Sequence, residues 1–304
     1  MRPLTEWTAK EKDAELINFE DKASLALPNP RRLPKLPGID YHYGIRPYKG
    51  AVGGDHIAVV NFNDYALKKK IKAAYDSGNS QLAKTLEKNF DRFGIMVADV
   101  SGHMMTDNVL ANYLQGAFRT GVEYEVKFLG EVTPGLFEFL NNVFYYRVRP
   151  DMKNRPYVTL IYGEVHNDGR FRYLSAGHPP PIVFSAERGT IETLDGRLTK
   201  GSTPLGLFPS RYHADTAHFE PAIIEKDRYD VNEIQLLGQG DIMLLYTDGL
   251  TEHEDGRFKD ERLEAVLREA KSETAERIYD AIMREYLSFG PQSDDLAVAV
   301  VKKR

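Results

Sequence analysis

Two apolar runs, residues 157–165 and 170–175, are separated only by a short polar stretch containing Asn167-Asp168-Gly169. Asp-Gly tolerates the positive φ values that tight primed turns need, so the two runs are expected to fold back on each other as an antiparallel hairpin. Further short β-type runs lie at residues 57–62, 94–98, 181–184, 242–246 and 296–301,. Helical spacing interrupts them in two blocks. In the first, Val109, Leu110, Tyr113, Leu114 and Phe118 recur over residues 107–118. A second helix of that block begins at Thr133 as cap and Pro134 in the first turn, with Leu136, Phe137, Leu140, Val143, Phe144 and Val148 on one face,. The second block covers residues 260–270 and 272–289. Strands joined by hairpins, with helices in separate blocks, predict an α+β fold of antiparallel sheet with helices outside.

Residues 1–37 read as a polar segment with one charged helix from about Glu11, followed by a connector stiffened by Pro28, Pro30, Pro34 and Pro37; the main domain is expected over 38–304,. The chain has no cysteine, which excludes disulfides, thiolate zinc sites and every mechanism with a cysteine nucleophile,. At a formal net charge of -5 it has no basic stripe suited to nucleic acid, so no nucleic-acid partner is expected,. No stretch approaches the roughly 20 apolar residues that span a bilayer, and the amino terminus has no signal-type apolar run. A cytoplasmic protein with no membrane partner is the expectation.

Four acidic positions sit where a predicted strand meets a glycine-bearing or polar turn. Val52-Gly53-Gly54-Asp55 precedes one strand, Asp99-Val100-Ser101-Gly102-His103 follows another, Thr247-Asp248-Gly249 follows a third, and Ser293-Asp294-Asp295 precedes the last. One such aspartate is ordinarily a turn residue. Four of them at strand ends, in a chain without cysteine, form a hard oxygen donor set that suits Mg²⁺ or Mn²⁺ better than zinc. There is no GxSxG elbow to indicate a serine hydrolase.

These words resemble the bacterial branch of the metal-dependent, type 2C-like (PPM-type) serine/threonine protein phosphatases, the branch of SpoIIE and RsbU. The matching segments are VGGD (52–55), ADVSGH (98–103), LSAGHPPPIV (174–183), PLGL (204–207), GDIMLLYTDGLTE (240–252) and SDDLAVAVV (293–301), all in the family's order,. The resemblance runs from about Leu36 to the carboxy terminus.

It implies a four-layer α/β/β/α sandwich, two antiparallel sheets flanked by helices, with two divalent ions, Mn²⁺ or Mg²⁺, at one end. By motif position Asp99 would bridge both ions and the Val100 carbonyl would join one. Asp55 would serve one ion, and Asp248 with Asp294 the other, while Asp295 could bind instead or support its neighbour. The implied reaction is hydrolysis of phosphoserine or phosphothreonine by water activated between the ions. The implied substrate is a phosphorylated regulatory protein such as an anti-sigma factor antagonist. A separate sensor or activator protein and a homodimer are further implied partners.

His103 could donate a proton to the leaving oxygen or cap the following helix. Lys49 and Arg46 could hold substrate phosphate or be solvated, and His178 reads as a structural loop residue. The sequence departs from the family in Met104, Met105, Thr106 and Asp107 after the ADVSGH word, and in a helical insertion at about residues 65–89. There Lys68, Lys69, Lys70 and Lys72 form either a basic docking arm or a solvated helix face,. The competing functional reading is a catalytically silent phosphatase-like module that binds a signalling partner.

Overall fold

The computed structural model describes residues 8, 34–48, 52–101, 105–148, 156–194, 202–211, 226, 228–235 and 237–304, without the side chains of residues 105–107 and 147. The helix expected from about Glu11, most of the proline connector, and Lys49 and His103 lie outside the described residues.

Among the described residues ten strands form two five-stranded antiparallel sheets. The first sheet has the order β1-β10-β9-β6-β7, built from β1 (Ile39–Arg46), β10 (Leu296–Lys303), β9 (Ile242–Tyr246), β6 (Ile182–Ser185) and β7 (Thr190–Ile191). The second has the order β2-β3-β4-β5-β8, from β2 (His56–Val60), β3 (Arg92–Val100), β4 (Val158–His166), β5 (Arg170–Ala176) and β8 (Asn232–Gln235). The expected hairpin joins β4 to β5: Gly169 takes φ +95° and its N–H donates to the His166 carbonyl at 3.0 Å.

Three apolar layers follow from the two-residue strand period. Ile95 and Val97 of β3 point inward with Met243 and Leu245 of β9, and fill the space between the sheets. Met96 and Ala98 point the other way, against Leu114, Phe118 and Phe137 of α3 (Met105–Phe128) and α4 (Pro134–Val143). Leu244 and Val300 face Ile278, Ile282 and Tyr286 of α7 (Ala275–Phe289) on the outer side of the first sheet, together with α6 (Glu264–Ala270). Both faces of the central strands are therefore covered, which is why β3 and β9 read as nearly unbroken apolar runs. The result is the expected α/β/β/α sandwich.

The segment at 65–89 forms α1 (Leu67–Asp76) and α2 (Ser80–Glu87), which pack through Leu67, Ala74, Ala83 and Leu86 against the α3/α4 side. Asn79 caps α2 by accepting from the Leu82 N–H at 3.0 Å,. Lys68, Lys69 and Lys72 are exposed, and Lys72 pairs with Asp76 one turn on. Among the described residues no helix is long and apolar enough to cross a membrane.

Candidate active site

The four acidic segments come together because two pairs of strands end at the same edge of the sandwich. In the second sheet β2 and β3 are antiparallel with His56 opposite Ala98, and that register carries Asp55 up beside Asp99. In the first sheet β9 and β10 pair Tyr246 with Val298, which brings Asp248, the first residue of the short helix α5 (Asp248–Thr251), beside the Asp294-Asp295 turn.

Thr247 joins the two halves. Its N–H donates to the Ala297 carbonyl at 3.0 Å, and its hydroxyl accepts from the Ala297 N–H at 2.9 Å. The same hydroxyl donates to Asp55 Oδ2 at 2.6 Å. A residue of the first sheet thus aims a carboxylate of the second.

Asp295 makes a second tie. It is buried, and its two carboxylate oxygens accept from the Tyr48 and Gly54 N–H groups, each at 2.7 Å. The glycines of the motifs follow from this crowding. A Cβ at Gly53 would lie 2.5 Å from Asp295 Oδ1 and nearer still to Oδ2, while one at Gly249 would overlap the Asp295 carbonyl,. Asp294 is half-buried, and its Oδ1 accepts from the Asp295 N–H at 2.7 Å. Asn108, in the first turn of α3 and buried, donates to the Gly53 carbonyl at 3.1 Å. Its own Oδ1 accepts from Asn112.

Among the described residues, the charges that act most on Asp55 are acidic. Burial in the first place, and the Asp99 carboxylate in the second, push the Asp55 carboxyl well above its ordinary range; the Thr247 hydrogen bond opposes them, and Asp295 and Asp248 add to the rise,. No cation is among those groups. His56 cannot offset the charge, because burial and then Arg119 bring its imidazole down to about 4 and leave it neutral. Among the described residues no three His, Asp or Glu side chains already enclose a point where an ion would sit. The donor chemistry nonetheless fits a hard divalent cation: a buried carboxylate is destabilised by three acidic neighbours, and an ion between them would reverse the sign of every one of those interactions.

Val100, whose carbonyl the resemblance makes a ligand, ends β3 opposite Val158, with its side chain in the core. Arg46 is tied to the turn before β10: its Nε donates to Gln292 Oε1 at 2.8 Å, and Gln292 donates back to the carbonyls of Arg46 and Asp294. Sequence reasoning missed Thr247 and Asn108 as site residues. Thr247 carried a signal, its place immediately before Asp248 in the YTDG word, whereas Asn108 had none.

The sequence profile of the family described as Stage II sporulation protein E (SpoIIE) matches residues 89–304. No curated protein sequence matches the chain. Among solved structures, it is similar to the RsbU and RsbW domains of a Mycobacterium tuberculosis protein, at 21% identity and TM-score 0.60, over 90% of this chain and 62% of that one. It thus spans about three fifths of that relative. It is also similar to the SiaA-PP2C domain of Pseudomonas aeruginosa, at 15% identity and TM-score 0.62, over 97% of this chain and 99% of that one. A third is RsbX in complex with magnesium, at 15% identity and TM-score 0.52, over 90% of this chain and 99% of that one. With this fold, and with a family match covering most of its length, the chain belongs to the SpoIIE family of PP2C-type phosphatases.

Proposed function

We propose that the chain is a metal-dependent protein serine/threonine phosphatase that uses two divalent ions, Mn²⁺ or Mg²⁺. The observation that carries this reading is the acidic cluster, in which the charged groups that act most on the buried Asp55 among the described residues are carboxylates from three other strand ends. The magnesium in RsbX, a protein of the same fold, supports it. When bound, such ions act as Lewis acids, lowering the pKa of water and neutralising charge that develops on phosphoryl oxygens.

Asp55, Asp99, Asp248, Asp294 and the Val100 carbonyl are the proposed ligands. Asp295 is the alternative ligand to Asp294 or its support: each of its oxygens accepts one backbone N–H group, which holds the Gly53-Gly54-Asp55 turn against the Asp248 strand end and leaves a lone pair on each oxygen for an ion,. Thr247 fixes the direction of the Asp55 carboxylate, and Asn108 fixes the turn from the helix side. His103 is the proposed proton donor to the departing serine or threonine oxygen.

The proposed substrate is a phosphorylated regulatory protein such as an anti-sigma factor antagonist, supported by family membership and by the RsbU and RsbW domains joined in the mycobacterial relative. The proposed further partners, an activator protein and a second copy of the chain, are supported by exposed apolar side chains along α3 and α4, among them Tyr113, Tyr124, Phe128, Leu129 and Phe139,. The proposed compartment is the cytoplasm.

The test is release of phosphate from a phosphoserine peptide and from a small aryl phosphate, each with Mn²⁺ and with chelator. Metal-dependent release is expected from both. A folded protein that releases none from either would be the silent binding module instead.

A further inference from the structure

His178 lies in the Gly177-His178-Pro179-Pro180-Pro181 crossing from β5 in one sheet to β6 in the other, at the sandwich edge that carries the acids. Its backbone is pinned. The Ser175 hydroxyl donates to the His178 carbonyl at 3.0 Å and accepts from its N–H at 3.2 Å, and three prolines with fixed φ follow,. The side chain is buried, and Nδ1 shares a hydrogen bond of 3.0 Å with the Thr159 hydroxyl.

The two neighbours of that ring are informative. Thr159 is the residue of β4 directly paired with Asp99 of β3. The carbonyl of Tyr246, the last residue of β9, is also close enough to the ring to favour its protonated form, while burial, the larger effect, brings the imidazole down to about 3 and keeps it neutral. Tyr246 is followed directly by Thr247, which aims Asp55, and by Asp248. One imidazole therefore lies near both the strand end that carries Asp99 and the strand end that carries Asp248.

Packing alone does not account for a histidine here. Its Nε2 is buried and no group, the Tyr246 carbonyl included, meets it in ordinary hydrogen-bond geometry, and a buried polar atom so placed is destabilising where leucine would fill similar space without that cost,.

We propose that His178 is a positioning residue: set against Thr159 and near the Tyr246 carbonyl, it sets the separation of the two sheets at the acidic edge and hence the spacing of Asp99 from Asp248. The proposal rests on the metal-dependent reading above. It goes beyond that reading in assigning ligand geometry to a group that binds neither ion nor substrate.

The test uses the full chain carrying Thr159→Val, His178→Leu, both together, and His178→Asn, whose amide can still meet the Thr159 hydroxyl. Mn²⁺ affinity is measured without turnover, from the paramagnetic resonance signal of free Mn²⁺, beside kcat on an aryl phosphate and thermal unfolding of the metal-free protein. Loss of one hydrogen bond of about 1 kcal/mol corresponds to roughly 5-fold weaker Mn²⁺ binding in each single variant. The double variant is expected to be no worse than the worse single one, and His178→Asn to fall nearer the wild type. Unchanged Mn²⁺ affinity and kcat alongside a lowered unfolding temperature would reduce His178 to packing and overturn the proposal; additive losses would overturn it as well. Should His178→Leu fail to fold, Thr159→Val decides alone. A wild type that binds no Mn²⁺ would overturn the phosphatase reading and this one together, and is distinguishable because the variants then play no part.

Discussion

The crowding around Asp295 gives a quantitative prediction for Gly53→Ala. The new methyl would lie 2.5 Å from Asp295 Oδ1 and closer to Oδ2, so the carboxylate must swing away by roughly the 1 Å that separates this from ordinary contact,. That carboxylate accepts two backbone N–H groups at 2.7 Å, and Asp295 is only 4% exposed, so water cannot readily replace them. Hydrogen bonds to a charged acceptor contribute about 1.5–3 kcal/mol each, so losing both costs about 3–6 kcal/mol. If one bond re-forms in the new position, about 1.5–3 kcal/mol is lost, which lowers Tm by roughly 3–12 °C in a domain of this size. The assay is thermal unfolding by circular dichroism without metal, with Gly116→Ala as the control. Gly116 lies within α3 with nothing near its missing Cβ, so alanine there should raise stability by up to about 1 kcal/mol,. Should Gly53→Ala unfold within 1 °C of the wild type while Gly116→Ala behaves as expected, the Asp295 clamp is not what holds the turn. Because the same turn carries Asp55, metal-dependent activity should fall with Tm.

Asp248→Asn should abolish phosphatase activity while leaving the metal-free Tm unchanged or higher, since it removes one of the acids that crowd Asp55; wild-type turnover would contradict its role,. Saturating Mn²⁺ should stabilise the wild type, by about 2.7 kcal/mol at 100 times Kd, but not Asp248→Asn, as read by the shift in Tm. The pH dependence of the metal-free protein has a definite sign at Asp55. Its folded-state pKa lies above the unfolded value, so its contribution is present in acid and is lost as pH rises through the folded pKa,. His56 and His178 act oppositely, with folded pKa values of about 4 and about 3, so their contribution is present above the unfolded histidine value and is lost as pH falls from there,. The clean measurement is therefore the difference in stability between Asp55→Asn and wild type across pH. The variant should gain relative to wild type as pH rises, and a flat difference would refute the assignment.

Much of this architecture was legible from residue order. The strands at residues 242–246 and 296–301 and the 157–175 hairpin stood out because side chains alternate in direction along a strand, and because Asp-Gly allows a tight turn. Sequence order also brought out the acidic words, since an aspartate directly after a buried strand is a local signal. The first strand, Ile39–Arg46, was not legible. With Asp40, His42 and Arg46 interspersed it has no strong apolar run, and it is a strand because β10 pairs along all eight of its residues.

Residue order alone determined that this chain makes antiparallel sheets with helices outside and carries acids at several strand ends. Tertiary structure decided which of those acids are clamps and which are exposed to one another. Thr247 meets Asp55 across 192 positions and Asp295 meets Gly54 across 241, each between sheets that pair only within themselves. Hydrophobic periodicity says which face of a strand is buried, but the partner across a sandwich depends on how two twisted sheets stack, and nothing local in the chain encodes that. The same holds for His178, a loop histidine in sequence whose place near Thr159 and Tyr246 exists only once the sheets have closed.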